Sequence, residues 1–297
     1  RLAYYGDDIW PIMRKGFGRF FEDLLVKLNR DRLRSSTCFA RVEVAGHESA
    51  CLNYIWYRGT HPHEVQVPWL LRLWPSVPFS ATVDGPRNLS LGDFVTSFRS
   101  KKGWRTGGVF HRFGFNDRST AEALLSLATW HGLPKLTVAY FPDNDFASHA
   151  DGPQEALAAV EQADQHLGKV FEFWGGVERM CQEVAILVTG DHAQSDLLAD
   201  ADLRSIRLDR LLDEFNVADP GVDWRPAEGV LICLNMRAAQ IYCRPQAWDR
   251  REQLVSALLS DARMDQVILE EQPSGAPGAA YRVATANQSD ARSYAPV

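Results

Sequence analysis

Residues 136–153 read Leu-Thr-Val-Ala-Tyr-Phe-Pro-Asp-Asn-Asp-Phe-Ala-Ser-His-Ala-Asp-Gly-Pro. The apolar run Leu136–Phe141 has the character of a strand buried on both faces, as in a parallel sheet. Beyond Pro153, whose ring suits a helix's first turn, Ala156, Val160, Ala163, Leu167, Val170 and Trp174 recur at alternating three- and four-residue spacing. That period marks an amphipathic helix, which Gly175-Gly176 ends or kinks. Val184-Ala-Ile-Leu-Val188 follows as a second buried strand, closed by Thr189-Gly190. Strand, helix and strand in this order predict a β–α–β unit, hence an α/β fold with a mostly parallel central sheet.

Outward from this unit the alternation continues. Phe17, Phe20, Phe21, Leu24, Leu25 and Leu28 predict a sheet-covering helix over 16–29. Residues 48–56 predict a buried strand, and Ser119 with Glu122 forms an S-x-x-E capping box for a helix that Gly132 stops. Residues 60–116, with five prolines and the basic run Lys101-Lys102-Gly103-Trp104-Arg105, read as an excursion off the sheet, a lid inserted into the domain. Beyond residue 200 the pattern weakens to strands at 229–234 and 239–243 and a helix at 249–263. Residues 272–297, rich in Gly, Pro and Ser, read as a loose end. One domain, 1–297, with the lid at 60–116, is the expected organisation.

Composition narrows the class. The chain has 297 residues, 45% hydrophobic and 24% charged, which is ordinary for a globular protein. With 32 Lys and Arg against 38 Asp and Glu, the net charge of −6 lacks the positive field that binding to a nucleic-acid duplex requires. An anionic substrate must therefore be neutralised locally, by metal ions or a few placed basic groups. The five cysteines form no C-x-x-C pair, which argues against a zinc ribbon and a full disulfide framework. No apolar run approaches the ~20 residues of a membrane span. No signal peptide opens the chain, which begins with Arg1 rather than Met, so a soluble protein is expected and its compartment is left open.

Both strands of the unit run into metal-ligand residues. Asp145 and His149 are one helical turn apart, so a helical segment aims both at one point. Asp191 and His192 stand directly after the second strand. Carboxylate plus imidazole suits zinc or a similar borderline cation. In doubly wound sheets, ligands gather beyond the carboxyl ends of the strands. Alone, each pair reads as a cap or surface pair; together, at two strand ends joined by one helix, they point to a metal site. His61 and His63 read as an exposed loop pair, with ligation the sharper alternative. His111 and Arg112 are candidates for contacting a substrate phosphate.

These residues carry a resemblance to a known family. Phe141–Pro153 resembles the E-P-D-x-x-G-H-x-x-G-P signature of type I phosphodiesterases and nucleotide pyrophosphatases, in the alkaline phosphatase superfamily. Asp145, His149 and Gly152-Pro153 match its Asp, His and closing Gly-Pro. Gly190-Asp191-His192-Ala193-Gln194 is similar to the family's S-D-H-G-M motif, with Gly190 and Ala193 in place of Ser and Gly. Residues 35–60 and 115–195 carry the likeness.

The resemblance implies an alkaline-phosphatase-like three-layer α/β/α sandwich and a phosphoester hydrolase acting on a small phosphoester or nucleotide. It implies two divalent ions, zinc in the family, with Asp145 and His149 on one and Asp191 and His192 on the other. It also implies a Thr or Ser nucleophile, a further metal-binding Asp and a further His, none of which has a match here. The chain therefore reads as incomplete at both ends, its catalytic nucleophile unknown and apparently outside it. The alternative is a catalytically incomplete fragment or pseudoenzyme serving as a metal-binding or interaction module.

Overall fold

Ser49–Leu52 is the strand around which the fold is built, because all four of its residues are buried. A computed structural model of the protein describes residues 22–68, 82–100, 107–219, 223–235, 237–271, 280–285 and 292–294. The chain divides into two compact units, one within Ile12–Leu197 and one within Leu198–Val297.

In the first unit the helices are α1 (Glu22–Arg32), wound in the wide π form, α2 (Cys38–Val44), α3 (Asp117–Trp130), α4 (Asp143–Asp151), α5 (Leu157–Phe173) and α6 (Val177–Glu183). The strands are β1 (Ser49–Leu52), β2 (His61–Glu64), β3 (Thr82–Gly85), β4 (Asn88–Leu91), β5 (Val95–Thr96) and β6 (Leu136–Ala139). The central sheet has the order β5-β4-β1-β6. β1 pairs in parallel with both β4 and β6, while β5 returns antiparallel to β4. The result is the α/β fold with a mixed, mostly parallel sheet that the helix–strand alternation predicts.

Strand alternation divides β1 between two cores. Cys51 enters one with Leu25, Phe39, Tyr57, Leu89 and Phe94. Ala50 and Leu52 enter the other with Ala123, Leu127, Val170 and Met180, so α3, α5 and α6 cover that face. Just past β1, buried Asn53 takes up a left-handed backbone (φ 58°), a conformation Asn tolerates better than most side chains. Its amide donates to the Gly114 carbonyl (3.0 Å) and to Thr120 Oγ1 (2.9 Å), and its Oδ1 accepts from Gly92 N–H (2.8 Å). Thr120 Oγ1 in turn donates to the Tyr140 carbonyl (2.8 Å). One side chain thus ties together the exits of β1, β4 and β6. Gly92 is required there: a Cβ on it would meet the Phe113 carbonyl oxygen at 2.1 Å.

Several expectations change. Val184–Val188 joins no strand: Leu187 and Val188 are 89% and 77% exposed, and only Val184 packs against the core. An apolar run favours burial without specifying a sheet edge to receive it. β6 is half-buried rather than buried on both faces, because it is the last strand of the sheet. Among the described residues of the expected lid at 60–116, β4 and β5 belong to the central sheet, and β2 and β3 form a separate two-stranded antiparallel sheet. The cap of α3 is Asn116, whose side chain accepts from Ser119 N–H (2.9 Å), three residues earlier than the S-x-x-E pattern predicts. Glu122 pairs with Arg118 instead (3.1 Å). Gly132 follows the helix end at φ 76°, as expected. The helix expected over 16–29 is described from residue 22 onward, with Leu25, Val26 and Leu28 buried.

The second unit holds α7 (Leu208–Leu211), α8 (Pro245–Trp248) and α9 (Arg251–Leu259). Its strands β7 (Val230–Asn235) and β8 (Ala238–Cys243) form the antiparallel pair expected from the sequence. Leu208, Leu212, Phe215, Val230, Leu254 and Leu258 make its core. Within the expected loose end at 272–297, β10 (Tyr281–Thr285) and β11 (Arg292–Tyr294) are strands, and with β9 (Gln266–Glu270) they form an antiparallel sheet. The alternating Tyr-Arg-Val-Ala-Thr of β10 has the β-branched and aromatic content that pairing favours. No helix among the described residues is long and apolar enough to cross a membrane.

Candidate metal centre

The turn from β6 into α4 gives Asp145 and His149 their setting. Asp145 lies in the first turn of α4, where the helix dipole favours an acid, and His149 in the last, where it favours a base. The two are an i,i+4 pair, with His149 Nε2 3.5 Å from Asp145 Oδ1, as the spacing predicts. Both are partly exposed, with side chains 45% and 39% accessible. Gly152 ends the helix at φ 91°, its N–H donating to the Ser148 carbonyl (3.1 Å). A Cβ there would meet Asp196 Oδ1 at 2.9 Å, so the chain beyond His192 runs close past the end of α4.

Asp191 and His192 sit on an irregular segment. His192 N–H donates to Asp191 Oδ1 (2.8 Å), and His192 Nε2 lies 3.7 Å from Asp191 Oδ2. These side chains are far more open, 83% and 61% accessible. Even so, Asp145, Asp191 and His192 line one pocket of about 250 Å³, and His149 adjoins it through its pairing with Asp145. Pro153, Leu157 and Val160 form an apolar wall of that pocket. Among the described residues that line it there is no Lys or Arg.

Tyr140, at the exit of β6, and Tyr54, just past β1, meet edge to face (centroids 6.1 Å apart). Burial raises the pKa of both phenols. The Asp145 and Asp191 charges add to the rise at Tyr140, and Cys38, Cys51 and, least, the Asp191 charge add to that at Tyr54. Sequence reading missed these tyrosines, because Tyr54 is far from the motifs in the chain and Tyr140 reads as a strand residue.

The sequence motifs are thus brought to one pocket, but the four side chains stand as two pairs. Among the described residues, no three or more His, Cys, Asp or Glu side chains converge as a metal-holding group. His111 is exposed, and its carbonyl accepts from Asn116 Nδ2 (3.0 Å). Arg112 is engaged by the Asp143 carboxylate and lies over the Phe146 ring (4.1 Å to the centroid). His63 is tied to the Pro86 carbonyl (2.8 Å) and His61 lies 3.5 Å from Glu43, so neither imidazole joins the pocket's lining. Lys101, Lys102 and Arg105 lie outside the described residues.

Comparison with known proteins adds one finding. A family model described as type I phosphodiesterase / nucleotide pyrophosphatase matches residues 16–291, far beyond the motif-bearing segments. No curated protein and no solved structure gives a significant match.

Proposed function

The chain belongs to the type I phosphodiesterase/nucleotide pyrophosphatase family, and from that premise we propose that this pocket is the metal-binding part of a phosphoester hydrolase site. The observation that carries the reading is the charge of the pocket. Asp145 and Asp191 face it, and among the described residues that line it there is no Lys or Arg. A phosphoester is an anion, and two carboxylates repel it unless cations stand between.

The donor set fits such cations. Zinc takes carboxylate and imidazole donors at about 2.0–2.2 Å in tetrahedral array, which separates neighbouring donors by about 3.3 Å. Separations of 3.5 Å in the Asp145–His149 pair and 3.7 Å in the Asp191–His192 pair match that bite with little adjustment. Asp145 and His149 would hold one ion and Asp191 and His192 a second. Paired ions at a site of this kind neutralise phosphoryl charge and polarise the attacking and leaving oxygens. The further Asp and His ligands and the Thr or Ser nucleophile that the family implies have no match in this sequence. Pro153, Leu157 and Val160 would offer the ester's organic substituent an apolar surface, while the acidic lining attracts cations.

The test is hydrolysis of an aryl phosphodiester, bis(p-nitrophenyl) phosphate, by the zinc-loaded chain. Release of p-nitrophenol by the wild type, abolished in Asp191→Ala and Asp145→Ala, is the expected result. Bound zinc without release favours the second reading, a metal-binding module without turnover, for which the lack of a third converging ligand among the described residues speaks.

A further inference from the structure

The start of α4 is secured from outside its own sequence. Its N-cap residue, Pro142, has no side-chain hydrogen bond to offer. The Asp143 N–H instead donates to Asp117 Oδ1 (2.8 Å), a residue 26 positions earlier at the start of α3. The favour is returned: Asp117 N–H donates to Asp143 Oδ2 (3.2 Å). Two helix N-termini thus exchange carboxylates, each satisfying a backbone donor that the other helix leaves open. Arg112 closes the arrangement by binding Asp143 and stacking over Phe146, one residue past Asp145. Asp117 is 1% exposed, and its Oδ2 has no hydrogen-bond partner among the described residues. A buried carboxylate with a free oxygen is expensive to keep, and helix capping alone is served more cheaply by a Ser, Thr or Asn at position 142.

Resting on the reading of Asp145 and His149 as a half-site, we propose that Asp117, Asp143 and Arg112 are positioning residues that fix the placement of α4 and so aim Asp145 and His149 at the pocket. The clasp holds both ends of the first turn: Asp117 holds the backbone at Asp143, and Arg112 holds the ring at Phe146. Asp145 lies between these two points and His149 one turn on, so neither ligand moves independently of them. Ligand constellations tolerate displacements of only about 0.5 Å, and α4, at nine residues, is too short to hold its own direction without such anchoring.

The experiment follows the histidine ring signals of the full chain by NMR, first without metal and then during a zinc titration. Without metal, Asp117→Ala shifts the His149 ring signals and leaves those of His192 in place. Asp117→Asn, which loses the charge but keeps an oxygen for the Asp143 N–H, leaves both in place. With zinc, Asp117→Ala weakens the response at His149 about tenfold, the scale of outer-shell substitutions at metal sites, and changes that at His192 less than about twofold. Should Asp117→Ala fail to fold, Arg112→Ala, which acts from a partly exposed position, gives the same selective His149 effect. Unchanged His149 signals in these variants, or equal shifts at both rings, overturn the clasp. Zinc that moves neither ring in the wild type overturns the half-site reading instead, and the metal-free spectra still decide the clasp.

Discussion

Asp145–His149 and Asp191–His192 offer a cation the same two donors, yet the fold treats them differently. The first pair rides on a helix whose start is clasped by Asp117 and Arg112 and whose end is set by Gly152. The second hangs on an irregular segment, held by the short contacts of His192 with Asp191 and Ala193. Ordering a loose residue costs about 1–2 kcal/mol of backbone entropy. The α4 pair has met that cost on folding, whereas the 191–192 pair would meet it on binding the proposed cation. On the proposed reading, a cation would find one half of the pocket prepared and recruit the other.

If the difference lies in the scaffold, damage to the scaffold is the most sensitive way to break it. Asn53 is the hub that ties Gly92, Gly114 and Thr120, and through Thr120 the Tyr140 carbonyl at the exit of β6. Asn53→Ala strands a buried N–H and a buried carbonyl, and leaves an alanine at φ 58°. With about 1–3 kcal/mol for each orphaned group, the expected loss of stability is about 4 kcal/mol by urea unfolding. A loss below about 1 kcal/mol means the strand exits are held by something else, and the contrast between the two pairs weakens.

Asp117 supplies the next test, with a sign that pH sets. Burial, aided by the Asp143 charge and opposed by the hydrogen bond from Asp143 and by Arg112, pushes its carboxyl up to about 6. The folded value therefore lies above the unfolded 3.8, so the fold prefers the protonated form. That preference stabilises the protein in full below pH 3.8, and the benefit is lost as the pH rises through about 6. Asp117→Asn removes the dependence while keeping the acceptor for Asp143. It is expected to gain stability over the wild type as the pH climbs from about 4 to 7, by about 3 kcal/mol at the plateau. Parallel curves of unfolding free energy against pH for the two proteins would contradict the burial of this acid.

Much of the helical half-site was readable in the sequence. A four-residue spacing after a strand-like run needs only local geometry to bring Asp145 and His149 together, and α4 supplies it. The β7–β8 pair was equally local, as was the helical face running into Val170. What could not be read is what joins distant positions. Asp117 meets Asp143 across 26 residues and Asn53 meets Thr120 across 67, and no periodicity announces either. The cap of α3 was misplaced for a related reason: Asn116 and Ser119 are both good cap residues, and the choice fell to the one that also reaches the His111 carbonyl. Strand pairing is the same problem at larger scale, since an apolar run such as 184–188 carries no record of its partner.

That run gives the smallest expected effect and a direct probe of the weaker pair's support. Leu187 lies four residues before Asp191 and is 89% exposed. Leu187→Ser removes little from a core it does not enter, so stability is expected to stay within about 0.5 kcal/mol of the wild type. Were 184–188 instead a buried strand beside β6, the same change would bury an unpaired hydroxyl and remove a packed side chain, at about 3 kcal/mol. A large loss would give Asp191 and His192 a rigid base like that of α4, and the two halves of the pocket would then be equally prepared for the proposed cation. A negligible loss leaves the second pair as the half that the proposed metal would organise.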